Sequence, residues 1–192
     1  MKNLTFITTN QSKADYLAKW LHLPVAHQEL ELPELQSLDL SVIVEHKTRA
    51  AYTAVGKPVL VEDVSFSMGA LGALPGPLIR WFLAEIGLDH LCKIATMFED
   101  KRAIAATMYG LFDGETYRMF EGITQGKLTD APREFAPDNS WKAPVSWNRI
   151  FIPEGSTKAY CEMTDDELEI VSHRAKAISK LREYLASQNY GR

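Results

Sequence analysis

Leu4-Thr5-Phe6-Ile7-Thr8-Thr9-Asn10-Gln11-Ser12-Lys13 is the stretch that decides the fold class. Its first half is a short apolar run with β-branched and aromatic residues, which predicts a buried strand. Thr9 to Ser12 is polar, and apolar positions then recur at Ala14, Leu17, Ala18 and Leu21, which predicts a helix capped by Asn10 or Ser12. A strand that runs through a polar loop into a helix start is a place for anions, because free N–H groups and the helix dipole face whatever sits above the strand end.

Outward from there, residues 41–55 carry Val42, Ile43, Ala50, Ala51 and Ala54 and predict a second helix, stopped by Lys57-Pro58. Val59-Leu60-Val61 predicts a short strand ending on Glu62-Asp63. Pro75-Gly76-Pro77 is expected to start a helix through Glu85, and another is expected from Asp89 to about Phe98. Residues 103–112 and 116–123 flank Asp113-Gly114-Glu115, the signal of a β-hairpin. Residues 130–149 read as irregular. Thr164-Asp165-Asp166-Glu167 is a capping box, and one helix is expected behind it with a stripe at Leu168, Val171, Ala175, Ile178, Leu181 and Leu185. Strands and helices alternate and then give way to a hairpin, which predicts a mixed α/β fold.

Composition narrows the function classes. The 192 residues are 46% hydrophobic and 24% charged, so a disordered chain is excluded and a single domain over 1–192 is expected. Net charge is −4 with no block of like charges, which predicts no nucleic-acid partner. No run approaches the ~18 apolar residues of a membrane span. Two cysteines, Cys92 and Cys161, read as reduced thiols of a cytoplasmic protein rather than a disulfide framework.

Three groups could carry chemistry, and each has a plainer reading beside it. Thr8, Asn10 and Lys13 could cradle a phosphate, or be a capped surface helix with a solvated lysine. Glu62 and Asp63 could hold Mg²⁺ and activate water, or form a solvated turn; Glu34 is a third acid whose spacing does not show that it meets them. Ser172-His173-Arg174, expected inside the last helix, could bond a purine edge or a phosphate, or be helix surface charge. There is no Gly-x-Ser-x-Gly, no Walker-type loop and no zinc spacing.

Together these groups resemble the inosine triphosphate pyrophosphatase family, which hydrolyses non-standard purine nucleoside triphosphates. The resemblance rests on residues 8–13, on Glu31-Leu32-Pro33-Glu34, on Val59 to Asp63, on residues 70–82 around Pro75-Gly76-Pro77, and on Glu162-Met163 with Ser172-His173-Arg174. It implies an elongated mixed sheet with helices around it, two lobes flanking a substrate cleft, and a homodimer. It implies Mg²⁺-dependent cleavage between the α and β phosphates. By the same resemblance Thr8, Asn10, Lys13 and Arg80 hold phosphate, Glu34, Glu62 and Asp63 hold metal, Asp63 activates water, and Trp147, Asn148, His173 and Arg174 meet the base.

The departures fall in the base motif. Where the family usually has Phe-Gly-Trp-Asp-Pro, this chain has Val145-Ser146-Trp147-Asn148-Arg149. Leu168 stands where a pocket lysine is frequent, and Val64 follows the acidic pair in place of Thr or Ser. Two functions are therefore expected: a working pyrophosphatase with altered base preference, or a nucleotide-binding protein of the same fold that has lost efficient turnover.

Overall fold

In the computed structural model, which describes residues 4–23, 25–137, 139 and 146–188, the opening stretch is β1 (Thr5–Ile7), wholly buried, followed by α1 (Gln11–Leu21). Then come β2 (Ala26–Gln28), α2 (Leu40–Val55), β3 (Val59–Met68), β4 (Pro75–Gly76), α3 (Ile79–Glu85) and α4 (Gly87–Met97). β5 (Arg102–Phe112) and β6 (Tyr117–Leu128) form the expected hairpin, and β7 (Phe151–Pro153), α5 (Asp165–Val171) and α6 (His173–Ser187) complete the chain. The sheet order is β2-β1-β3-β5-β6-β7, with β4 on β3. β1 is parallel to β2 and β3, whereas β4 is antiparallel to β3 and β7 to β6, so the sheet is mixed as expected.

By packing, the chain divides into two units. Met1–Asp63, Thr107–Gly122 and Lys176–Arg192 form one; Val64–Ala106 and Ile123–Ala175 form the other. The core of the first joins Phe6 and Leu60 to Leu17 and Leu21 of α1, Tyr109 and Leu111 of β5, and Ile178 and Leu181 of α6. The core of the second is aromatic: Phe66 stacks on Trp147 with centroids 4.7 Å apart, and Phe151 meets Phe66 and Tyr160 edge-on at 5.6 and 5.0 Å. Such pairs add about 0.5–1.5 kcal/mol each beyond their buried area.

Three expectations are corrected, and one strand is unexpected. β3 does not end on Glu62-Asp63 but runs five residues further, because Phe66 and Met68 alternate with Ser65 and Ser67 and bury fully. Pro75-Gly76 does not start a helix; it pairs with Ser67 and Phe66, and the helix begins at Ile79. Proline is tolerated there because, among the described residues, β4 pairs with β3 alone and loses no ladder bond on its other side. The last helix is two helices. Ser172 is extended (φ −75°, ψ 144°), and its hydroxyl accepts the Ala175 N–H at 3.1 Å, so it caps α6 instead of continuing α5. β2 carries no apolar alternation of its own, so the sequence does not predict it; it is an edge strand held by β1.

The expected capping box of α5 is present: Thr164 Oγ1 accepts the Glu167 N–H at 3.3 Å, and Glu167 Oε2 accepts the Thr164 N–H at 2.8 Å. Cys92 and Cys161 are free and buried, and burial pushes the Cys161 thiol up to about 11. Among the described residues no helix is long and apolar enough to cross a membrane.

Candidate functional site

The first unit builds a candidate site at the end of β1. Thr5 pairs with Val59 and Phe6 with Leu60, so counting on in register sets Glu62 level with Thr8, just past the last residue of β1. The acids therefore stand beyond the carboxyl end of a parallel strand, where α/β sheets place ligands, although β3 itself continues. Asn10 resolves the choice of cap: its backbone is extended and its Oδ1 accepts the Lys13 N–H at 3.3 Å. Thr8 Oγ1 accepts the Asn10 N–H at 3.1 Å, which ties the loop to the helix start. α1 has no acid in its first turn, so its positive end is not neutralised from within.

Two lysines meet the two acids. Lys13 Nζ donates to the Glu62 carbonyl at 3.4 Å and lies 4.0 Å from Glu62 Oε1, the carboxylate being 1% exposed. Lys47 Nζ donates to Asp63 Oδ2 at 2.9 Å, with both side chains about four-fifths buried. Successive side chains on a strand leave opposite faces, and here each acid meets a different helix, Glu62 with α1 and Asp63 with α2. This overturns the solvated-turn reading of the acidic pair.

Sequence reasoning misses Lys47, although a signal for it is present. Ile43, Lys47 and Ala51 follow at i, i+4 and i+8, so the lysine interrupts an otherwise apolar stripe. Glu34 is exposed on the segment between β2 and α2. Among the described residues no group of three or more His, Cys, Asp or Glu side chains is arranged to hold a metal ion, so the three acids are not a ready-made cage. The donor chemistry still fits Mg²⁺, a hard ion that keeps waters and takes one or two carboxylates together with substrate phosphates.

In the second unit Arg80 lies in the first turn of α3, exposed, with its guanidinium 5.0 Å from the Trp81 ring centre. His173 and Arg174 are 2% and 8% exposed, so the reading of helix surface charge is wrong. The break at Ser172 turns them inward. The His173 ring stacks on Tyr160 (5.8 Å, 15°) and tilts against Trp147 (5.2 Å). Trp147 is buried, with Phe66 on one face, in a single 3-10 turn of residues 147–149. Ser146 Oγ caps that turn by accepting the Asn148 N–H at 3.2 Å. The Asn148 side chain is half-buried and makes no hydrogen bond to a described residue. Arg149 braces the backbone nearby, with Nε donating to the Arg133 carbonyl at 2.7 Å and Nη2 to Glu134 Oε1 at 3.0 Å. Leu168 is core. Val145, and Trp141 as a second stacking surface, lie outside the described residues.

Comparison with known proteins gives the family of the chain. The profile of the Ham1 family matches residues 4–184. The chain belongs to the Ham1 family. Among curated relatives of this Ham1 protein, the inosine triphosphate pyrophosphatase of Candida albicans is 39% identical over 166 residues, covering 85% of this chain and 78% of that one. The inosine triphosphate pyrophosphatase of Schizosaccharomyces pombe is 35% identical over 192 residues, covering 98% and 97%. Among solved structures, a HAM1 protein from Coxiella burnetii superposes with a TM-score of 0.81 at 19% identity, over 97% of this chain and all of that one, which establishes the fold.

Proposed function

We propose that this Ham1 family member is a Mg²⁺-dependent pyrophosphatase of non-standard purine nucleoside triphosphates. It would release nucleoside monophosphate and pyrophosphate and act as a cytoplasmic homodimer that cleans the nucleotide pool. The observation that carries the reading is the placement of Lys13 with Glu62 and Lys47 with Asp63 beside the capped Thr8–Asn10 loop. Its relatives named inosine triphosphate pyrophosphatase support the substrate class.

In this reading the Thr8 hydroxyl, the N-terminus of α1 and the Lys13 ammonium bind the polyphosphate. Glu62, Asp63 and Glu34 are the oxygen donors for Mg²⁺, which when bound neutralises phosphate charge and polarises the scissile anhydride. Asp63 accepts a proton from the attacking water as the new bond to the α-phosphorus forms and the α–β bridge oxygen leaves with pyrophosphate. Lys47 holds that carboxylate in place. Arg80 neutralises phosphate, and His173, Arg174 and Asn148 contact the purine. A panel of nucleoside triphosphates assayed for pyrophosphate release tests the reading. No release from any member, with binding retained, would instead establish a nucleotide-binding protein without turnover.

Lys13→Ala and Arg80→Ala each raise KM for triphosphate about ten-fold with a smaller fall in kcat, because a cation on phosphate oxygens acts in both ground and transition states. Unchanged KM in either variant removes that residue from the phosphate site.

Asn148 sets base preference in this reading. An ionised aspartate only accepts, which suits the N1–H of inosine; asparagine both donates and accepts and can pair with adenine. The protein should therefore discriminate weakly between inosine and adenosine triphosphates. Asn148→Asp shifts the ratio of their kcat/KM values toward inosine by about five-fold or more. An unchanged ratio sinks the assignment.

A further inference from the structure

Thr8 is clamped by β2 through both of its backbone polar groups. Its N–H donates to the Gln28 carbonyl at 3.3 Å, the last rung of the β1–β2 ladder. Its carbonyl lies 2.9 Å from His27 Nε2. A carbonyl oxygen can only accept, so the ring nitrogen is the donor and Nε2 carries the hydrogen. β1 ends at Ile7, so this carbonyl lies beyond the regular sheet ladder, and the imidazole takes the place of a backbone donor there. The remaining polar group, Oγ1, accepts the Asn10 N–H, and Asn10 in turn accepts the Lys13 N–H. A continuous chain of hydrogen bonds therefore runs from His27 through Thr8 and Asn10 to the first turn of α1. Thr8 Oγ1 keeps its own hydrogen, free to be donated to an anion.

We infer that His27 is a positioning residue for triphosphate binding, acting through the Thr8 carbonyl to hold the Thr8–Asn10 loop in its binding conformation. The inference rests on the proposed pyrophosphatase reading. His27 is exposed on an edge strand, outside the buried core, so its removal touches the loop and not the packing. A loop left to sample other conformations binds polyphosphate less well, because part of the binding energy goes into ordering it. Once the substrate is bound the loop is ordered again, so turnover changes little.

The test uses the full chain, with Mg²⁺ and inosine triphosphate, and compares His27→Phe and His27→Gln with the parent. Loss of one exposed hydrogen bond to the loop in His27→Phe should raise KM about 3- to 10-fold with kcat within about two-fold. His27→Gln, which keeps an N–H at similar reach, should restore KM to within about two-fold of the parent. The ligand-free melting temperature of both variants should stay within about 2 °C of the parent. His27→Ala repeats the measurement should the phenylalanine variant not fold. Unchanged KM without the donor, or a glutamine variant as impaired as phenylalanine, overturns the role of His27 alone. A parent that releases no pyrophosphate overturns the proposed function and this inference with it.

Discussion

Asp63→Asn lowers pyrophosphate release at saturating Mg²⁺ by about 100-fold or more while leaving the fold intact. Asparagine is nearly isosteric, and its carbonyl oxygen can still accept from Lys47 Nζ, which donates to Asp63 Oδ2 at 2.9 Å. The contact between Lys47 of α2 and position 63 of β3 therefore survives. What disappears is negative charge and basicity. An amide takes no proton from water at neutral pH and is a poorer ligand for a hard divalent ion. The loss is expected in kcat, since the removed interaction matters most as the bond to phosphorus forms. Circular dichroism and melting establish that the variant is folded. Activity within a few-fold of the parent takes Asp63 out of the mechanism and leaves Glu62 as the remaining acid of the pair.

Gly126→Ala costs about 2–4 kcal/mol of stability, among the larger effects a single methyl can have. Gly126 pairs with Pro153 across β6 and β7. An added Cβ would stand inside the contact distance of the Ile152 carbonyl oxygen and 2.7 Å from Phe151 Cζ. The nearest atom is backbone, which cannot rotate away, so β7 must shift and the rings of Phe151, Phe66 and Trp147 shift with it. The turn at residues 147–149 leads directly into β7, so KM for the nucleotide should rise as well. Urea unfolding of the parent and variant measures the loss. Combining the change with Phe151→Leu should recover little of it, since the carbonyl remains. A loss below about 0.5 kcal/mol, the ordinary scatter of surface substitutions, would show that β7 yields freely at this point.

How much of the molecule is legible in its sequence depends on whether the deciding interaction is local. The α/β class is legible from strand–loop–helix periodicity, and the α2 and hairpin positions from apolar spacing and Asp113-Gly114-Glu115. The cap at Thr164 is legible too, because a capping box satisfies its own backbone groups within four residues. The candidate site residues come from the sequence through the family resemblance, and their burial and partners are added by the fold.

The remainder requires partners distant in sequence. Glu62 and Asp63 are accommodated within β3 because α1 and α2 supply a lysine to each, 49 and 16 residues away. β2 has no pattern of its own and forms because β1 offers it a ladder. The apolar stripe from Leu168 to Leu185 is continuous, yet the helix breaks at Ser172, whose side chain competes for the backbone at a point where His173 can reach Tyr160 and Trp147. Sequence alone determined the α/β class, the elements that carry their own periodicity and which chemical groups are available. Tertiary structure decided which charges are neutralised, which rings are buried and which loop is held, because those energies belong to pairs of residues that only folding brings together.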